Sequence, residues 1–372
     1  MRIKSGTFAG MVKDIISENN KIVIFGTGVI GSTITPEILN TYGISSLVEF
    51  CIDNDKTRWD TDIRIGDREI KIYSPDFLNT QSDNITILIT ISRYFSAYEQ
   101  LKAMECTRNM SCYIIPMLCI QNFHSEGNQG VIKTSDKPLI PKKLHYMWLG
   151  GQPLPDSLRK CIDSWKKYCP DYEVVRWDET HYDVYKNTFM SETYDNVKYV
   201  FVPDYARLDI LYHHGGIYMD TDVELIRELD DLLYQEAFCG VEKWQVINFG
   251  GCSGAVKGYH ALESFLEHWG ERRLVRNDGT LDSISSGLID TSIVLREGYQ
   301  LNGKNQRVLG MNIYTYDYFH PYDYMSGLLE KTSDTFSIHH FHGGWLDEKA
   351  REDNLKATKL YEEILNSAED VG

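Results

Sequence analysis

The stretch from Pro203 to Glu224, PDYARLDILYHHGGIYMDTDVE, constrains this chain more than any other, because it spells a helix, a stop and a strand that gives out into acids. Pro203 suits a first helical position, where its missing N–H costs nothing, and Asp204 favours the positive end of the helix dipole. Gly215 can take the left-handed conformation that closes a helix, and Gly216 frees the chain to turn into the strand Ile217, Tyr218, Met219. On the helix, Asp204, Arg207 and Leu211 share one face. On a strand, Tyr218, Asp220 and Asp222 alternate onto one face. Two carboxylates one residue apart at a strand end are hard oxygen ligands that can hold Mg²⁺ or Mn²⁺ and share it with a substrate diphosphate. Alone, an Asp-x-Asp triplet in an acidic protein is ordinarily a solvated turn. The preceding helix and glycines set this one apart.

At 372 residues, 42% of them hydrophobic, the chain is expected to form two domains with sizeable cores. A net charge of −16 sets the whole protein against nucleic acid and anionic lipid. An anionic small substrate therefore needs a local cation or a metal. No run of about 18 apolar residues occurs, and MRIKSGTFAGMVKDII at the start lacks a signal-peptide core. The expectation is a cytoplasmic protein with at most peripheral contact at the inner face of a membrane. Eight cysteines, without a C-x-x-C pair or zinc spacing, read as reduced core thiols.

A first domain is expected over residues 1–130. The run KIVIFGTGVIGSTI carries Gly26, Gly28 and Gly31 in the G-x-G-x-x-G spacing, and the next strand, VEFCIDND, ends at Asp53, about twenty residues on. Strand candidates at 85–91 and 111–118 alternate with helical stretches such as SAYEQLKAME, which argues a small parallel, Rossmann-like sheet. Its glycines serve either a bound nucleotide or merely a tight strand-to-helix turn with close packing. It resembles a small nucleotide-binding-type domain fused to bacterial polysaccharide enzymes. Residues 124–137, HSEGNQGVIKTSDK, read as the linker.

A second α/β domain is expected over 138–372. IPKKLHYMWLGG is a strand closed by glycines. Leu158, Ile162 and Trp165 then share a helix face, and Pro170 with Asp171 turns the chain into the strand YEVVRW. LHYMWLGGQPLPDSLRKCIDSWKKYCPDYEV and DYARLDILYHHGGIYMDTDVE together resemble the DXD-containing sugar transferases (glycosyltransferase family 32) and, more distantly, the glucosylating clostridial toxins. The compound D-x-x-R, G-G-x-Y-x-D-x-D pattern is more specific than its pieces.

The resemblance implies a GT-A type domain, Rossmann-like and nucleotide-sugar-binding, behind a small Rossmann-like domain. It places Trp148 on the uracil of a UDP-sugar, where the residue by itself reads equally as a core tryptophan. Asp204 and Arg207 match the pair that holds the sugar hydroxyls; by themselves they read as an i, i+3 ion pair. Asp220 falls on ribose, sugar or a metal-bound water, and Asp222 on the metal. In the closing run SIHHFHGGWLD, His340 is the expected further ligand with His339 the alternative, and Trp345 lies near the diphosphate. Relatives commonly carry a serine beside that tryptophan, where this chain has Gly343 and Gly344. Asn248 matches an asparagine at the sugar pocket and reads equally as a turn residue. Around Asp290 the chain reads LIDTSIVL, where relatives often have Gly-Pro.

The implied activity is a retaining, Mn²⁺- or Mg²⁺-dependent transfer of a hexose from a nucleotide sugar to a hydroxyl of a growing polysaccharide or lipid-linked glycan, in capsule, exopolysaccharide or lipopolysaccharide synthesis. A UDP-hexose is the expected donor and GDP-mannose the rival. Two readings from other classes compete. One is a degenerate sugar-nucleotide-binding scaffold, for which the missing serine speaks. The other is a nicotinamide enzyme built on the first domain, which lacks a persuasive Tyr-x-x-x-Lys over residues 1–137.

Overall fold

The computed structural model describes residues 1–81, 84–92, 94–276, 279, 281–282, 284–342 and 348–369, side chains of 348–350 and 365–369 excepted. Met1–His124 and the C-terminal helix Glu348–Glu369 form one compact unit; a second begins at Ser125. Both are mixed α/β.

The first unit contains β1 (Arg2–Ile3), α1 (Phe8–Ser17), β2 (Lys21–Phe25), α2 (Thr35–Thr41), β3 (Val48–Ile52), β4 (Asp62–Ile65), β5 (Arg68–Tyr73), β6 (Ile85–Ile89), α3 (Tyr94–Ala103), β7 (Ser111–Ile114) and α4 (Ile115–Asn122). Its sheet runs β1-β7-β6-β2-β3-β5-β4, and only β4 is antiparallel to its neighbour. β2 is buried from Ile22 to Phe25 and β6 along its whole length, without the alternation of a strand that has one solvated face. The strand expected over 111–118 stops at Ile114. Pro116 lies in the first turn of α4, where its fixed φ suits a helix and its missing N–H could not serve a ladder. The C-terminal helix, expected with the second domain, belongs to this unit: Tyr94 Oη on α3 donates to Ala357 O at 3.1 Å.

The second unit contains β8 (Lys143–Met147), α5 (Asp156–Tyr168), β9 (Glu173–Trp177), α6 (Thr188–Asp195), α7 (Val202–His214), β10 (Gly216–Tyr218), β11 (Val223–Leu225), β12 (Ala237–Val241), β13 (Ile247–Asn248), β14 (Ser253–Ala255), α8 (Ala261–Gly270), α9 (Ser286–Arg296), β15 (Gln306–Val308), β16 (Met311–Tyr314), α10 (Tyr316–Phe319) and β17 (Ser337–His339). A mixed sheet runs β15-β16-β12-β14-β10-β8-β9, with β13 on β12, and β11 pairs β17 separately. α5 buries Cys161, Ile162 and Trp165, and the indole of Trp165 donates to Val223 O at 2.7 Å, tying this helix to β11.

The expected linker is a strap on the second unit. Gln129 N donates to Asp334 Oδ2 at 2.7 Å, Ile132 N to Tyr314 Oη at 3.1 Å and Thr134 N to Tyr234 O at 2.8 Å. A segment without periodicity still carries backbone donors that must find partners when it lies against a core. All eight cysteines are free and seven are buried. Among the described residues no helix is long and apolar enough to cross a membrane.

Candidate active site

β8 and β10 are parallel, with Ile217 opposite Leu144 and Tyr218 opposite His145. Both therefore deliver the residues beyond their C-terminal ends, Trp148 and Asp220, to one edge of the sheet, the edge where open α/β sheets bind ligands. α7 enters β10 through Gly215 at φ 64°, whose N–H closes on Leu211 O at 2.9 Å. That short connection keeps Asp204 and Arg207 close to the strand end.

β10 stops at Tyr218, so the acids stand in a turn and not at the alternating strand positions expected of them. Met219 N still reaches His145 O at 3.0 Å, but Asp220 N is taken by Gly250 O at 2.7 Å and Val223 N closes the turn on Asp220 O at 3.1 Å. Asp220 thereby faces α7, while Asp222 turns toward β17.

Arg207 is the hub of the first group. Buried on α7, it donates from Nη2 to Asp204 Oδ1 at 2.9 Å and from Nε to Pro203 O at 3.0 Å, and Nη2 lies 3.6 Å from Asp220 Oδ2. Its guanidinium sits 5.8 Å from the ring centre of buried Tyr218. Burial opposes the charge on Arg207, but Asp220 and Asp204 outweigh it and hold the group cationic. Burial lifts the Asp204 carboxyl above its ordinary value despite Arg207. The i, i+3 pair is thus an interior one. Gly250 makes room for it: a Cβ there would overlap the Asp220 carboxylate and approach Arg207 Nη1 to 2.9 Å. Asn248 secures that glycine, its Oδ1 accepting from Gly250 N at 2.8 Å and Gly251 N at 3.2 Å while Nδ2 donates to Glu242 Oε1 at 2.8 Å. Its side chain is spent on the turn.

Asp222 forms the second group. Its Oδ1 lies 3.2 Å from His339 Nε2, and its Oδ2 accepts from His342 N at 3.0 Å. Burial works against the Asp222 charge, but His339 and the His342 donors hold the carboxyl well below its usual range. Burial likewise opposes charge on His339, and Asp222 outweighs it, raising the imidazole. His340, preferred from sequence, is turned away: its Nε2 lies 3.0 Å from Glu224 Oε2, and only its backbone N–H reaches Asp222 O, at 3.1 Å. The register explains this. β17 runs antiparallel to β11 with His339 opposite Val223 and Ile338 opposite Glu224, so alternation sends His339 inward and His340 to the Glu224 face.

Two carboxylates and an imidazole suit Mn²⁺ or Mg²⁺, and buried His339 has an Nδ1 without a protein partner. Among the described residues no three His, Cys, Asp or Glu side chains converge as a ready cage. A cation of this kind is commonly held by one or two carboxylates, with waters and substrate phosphates completing its shell. Asp222, with Asp220 and His339 nearby, fits that requirement.

Trp148 is half-buried at the rim, its N–H on Trp177 O at 2.9 Å and its indole donating to Gln152 O at 2.6 Å. Trp345, Gly343 and Gly344 lie outside the described residues. In the first unit, Gly26 at φ 102° and Gly31 make a close approach, since a Cβ on Gly31 would overlap Gly26 O, whereas Gly28 faces open space. Asp53 turns back on this loop and accepts from Thr27 N at 2.6 Å, Thr27 Oγ1 at 2.7 Å and Asp55 N at 2.8 Å. Tight turning and close packing are what these residues do within the unit.

Three participants stand outside the set of site residues expected from sequence. His342 is legible as the third histidine of SIHHFH. Gly250 is visible only as part of NFGG. Asp290, buried on α9, accepts from Trp269 Nε1 at 2.9 Å and lies in the field of Arg207 and Asp204; burial pushes it up to about 7.

A DXD turn and a buried Asp–Arg pair thus meet at the edge of a mixed α/β sheet. Residues 155–239, which include both, match the family model described as a glycosyltransferase sugar-binding region containing the DXD motif. The chain is 35% identical over 108 residues to mannosyl phosphorylinositol ceramide synthase SUR1 of Saccharomyces cerevisiae, covering 27% of each chain. It is 34% identical over 116 residues to inositol phosphoceramide mannosyltransferase 3 of Schizosaccharomyces pombe, covering 29% of this chain and 31% of that one. It is 35% identical over 101 residues to the uncharacterized glycosyltransferase L373 of Acanthamoeba polyphaga mimivirus, covering 26% and 40%. The match thus spans well under half of each relative's length. Among solved structures, PaToxG glycosyltransferase aligns at a TM-score of 0.29 and 19% identity over 35% of this chain and 60% of that one, which adds nothing to the fold already described.

Proposed function

We propose that this protein is a metal-dependent hexosyltransferase that moves a sugar from a nucleotide sugar to an acceptor hydroxyl. The observation that carries the reading is the buried Asp204–Arg207 pair with half-buried Asp220 against it, in the same turn as Asp222 and its partner His339 at a strand edge. Asp222, with Asp220 and His339, would hold Mn²⁺ or Mg²⁺. The cation supplies charge against the departing diphosphate. Trp148 offers a flat face for the base at the end of the neighbouring strand. Asp204 and Arg207 bind sugar hydroxyls, and their fixed pair needs no reorganisation as charge develops at the anomeric carbon. The acceptor oxygen bonds to that carbon as its bond to phosphate breaks, and the acceptor's proton passes to a diphosphate oxygen. We propose retention of anomeric configuration and a glycan or lipid-linked acceptor met at the cytoplasmic face of a membrane.

The sequence favours a UDP-hexose. A second donor, a mannosyl nucleotide such as GDP-mannose, is supported by the names of the Saccharomyces cerevisiae and Schizosaccharomyces pombe relatives, and those names also favour a glycolipid acceptor over a capsular one. A panel of UDP- and GDP-sugars with Mn²⁺, following nucleotide release, tests the reading. Asp222→Asn should lower turnover by about 10²–10³-fold. If no nucleotide sugar is bound or turned over with any divalent metal, the transferase reading fails.

A further inference from the structure

Beside the donor edge the second unit carries a row of three tyrosines between β9 and α7. The rings of Tyr185 and Tyr194 are 5.9 Å apart and nearly perpendicular, and those of Tyr194 and Tyr199 are 5.1 Å apart. Tyr185 stands 60% exposed at the outer end, while Tyr194 and Tyr199 rest on the core and are held in place from below. The row continues the edge already described. A Cβ on Gly150, two residues after Trp148, would come within 2.7 Å of the Tyr199 ring, and Glu179 Oε1 accepts both from Gly150 N at 2.6 Å and from Tyr194 Oη at 3.3 Å. At the far end Tyr185 Oη donates to Asp195 Oδ1 at 3.2 Å.

An exposed tyrosine backed by two half-buried ones and flanked by carboxylates has a particular chemistry. The faces take up the axial C–H surface of a pyranose ring, and the carboxylates accept from its hydroxyls. The charge selects among occupants. Glu179, Asp183 and Asp195 border the row, against Lys198 and against Lys186, which is paired with Asp209. Such an acidic surface disfavours an anionic membrane surface or nucleic acid and suits the neutral, hydroxyl-rich part of a glycan. Nothing in the nucleotide-sugar pocket uses these side chains.

We propose that Tyr185, Tyr194 and Tyr199, with Glu179 and Asp195, form a docking row for a neutral glycan, the acceptor chain of the transfer. The proposal rests on the transferase reading, which places the donor at the adjoining edge, and it specifies the acceptor as a chain of neutral sugars held along the row beside that edge.

Affinity electrophoresis of the full chain through gels containing α-mannan, dextran or galactomannan tests it. At least one polysaccharide should retard the protein. Tyr185→Ala should weaken that retardation by about tenfold, and Tyr185→Phe, which keeps the ring, should restore most of it. Absence of retardation in all three gels overturns the proposal, as does unchanged retardation of Tyr185→Ala. Co-sedimentation with phosphatidylcholine vesicles that is lost in Tyr185→Ala would assign the row to lipid and overturn it equally. UDP and GDP affinity, measured on the same wild-type preparation, separates the two hypotheses. Nucleotide binding without glycan binding defeats the docking row alone, and glycan binding without nucleotide binding defeats the transferase reading.

Discussion

Arg207 is the residue on which the proposed donor pocket depends most. It is buried between Asp204 and half-buried Asp220, so a neutral replacement leaves the Asp204 carboxylate in the interior without its cation. Arg207→Met should destabilise the second unit by about 3–5 kcal/mol in urea unfolding; a loss below about 1 kcal/mol would show that the pair is effectively solvated. Trp148 makes a different claim. Its two hydrogen bonds are to backbone carbonyls at the rim, and its ring is half-buried. Trp148→Ala should weaken nucleotide binding by about 1–3 kcal/mol, read by calorimetry, and an unchanged affinity would return it to the core. Asp290 predicts a pH dependence. Burial raises it from 3.8 to about 7, so the folded state keeps a proton there that the unfolded chain has released. Stability therefore falls as pH rises between those values and levels off above them. Asp290→Asn keeps an acceptor for Trp269 and removes the effect. Between pH 5 and pH 8 the wild type should lose about 2–4 kcal/mol more than the variant, and equal losses would show that Asp290 ionises normally.

At the scale of elements, helix α7 and its glycine stop were legible because both depend on neighbours in sequence: Pro203 in the first turn and Gly215 at φ 64° after the last. The exit from β10 was not. Alternation predicts that Asp220 and Asp222 share a face, but Gly250 O, from a strand connection about thirty residues on, takes the Asp220 N–H and turns the chain. The choice between His339 and His340 was equally hidden, since the register of β17 on β11 decides it and neither strand is long enough to declare a register by itself. Gly250 offers a test at this scale. Gly250→Ala would push a methyl into the Asp220 carboxylate and against Arg207. Turnover should fall by at least about tenfold while the thermal midpoint moves by only a few degrees, consistent with about 1–3 kcal/mol of local overpacking. Full activity would mean that Asp220 needs no fixed position.

In the whole molecule, two cores are built by one chain, and the C-terminal helix returns to the first of them through α3. Calorimetry should resolve two transitions, and removal of residues 348–372 should lower only one. If both midpoints fall together, the units unfold as one. What the sequence determined by itself was everything set by short-range chemistry: the parallel-sheet character of both halves, written in apolar runs and intervening helices; the Asp204–Arg207 pair, one helical turn apart; and the end of a short strand just before Asp220 and Asp222. What only the tertiary structure decided was how distant pieces meet. It showed the expected linker as a strap, the last helix as part of the first unit, His339 and not His340 on Asp222, Asn248 as the support of a glycine pair, and Asp290 in the field of the Asp204–Arg207 pair. Each of these depends on strand register or on a backbone donor satisfied from far along the chain, and such pairings leave no periodic trace in the residues that make them.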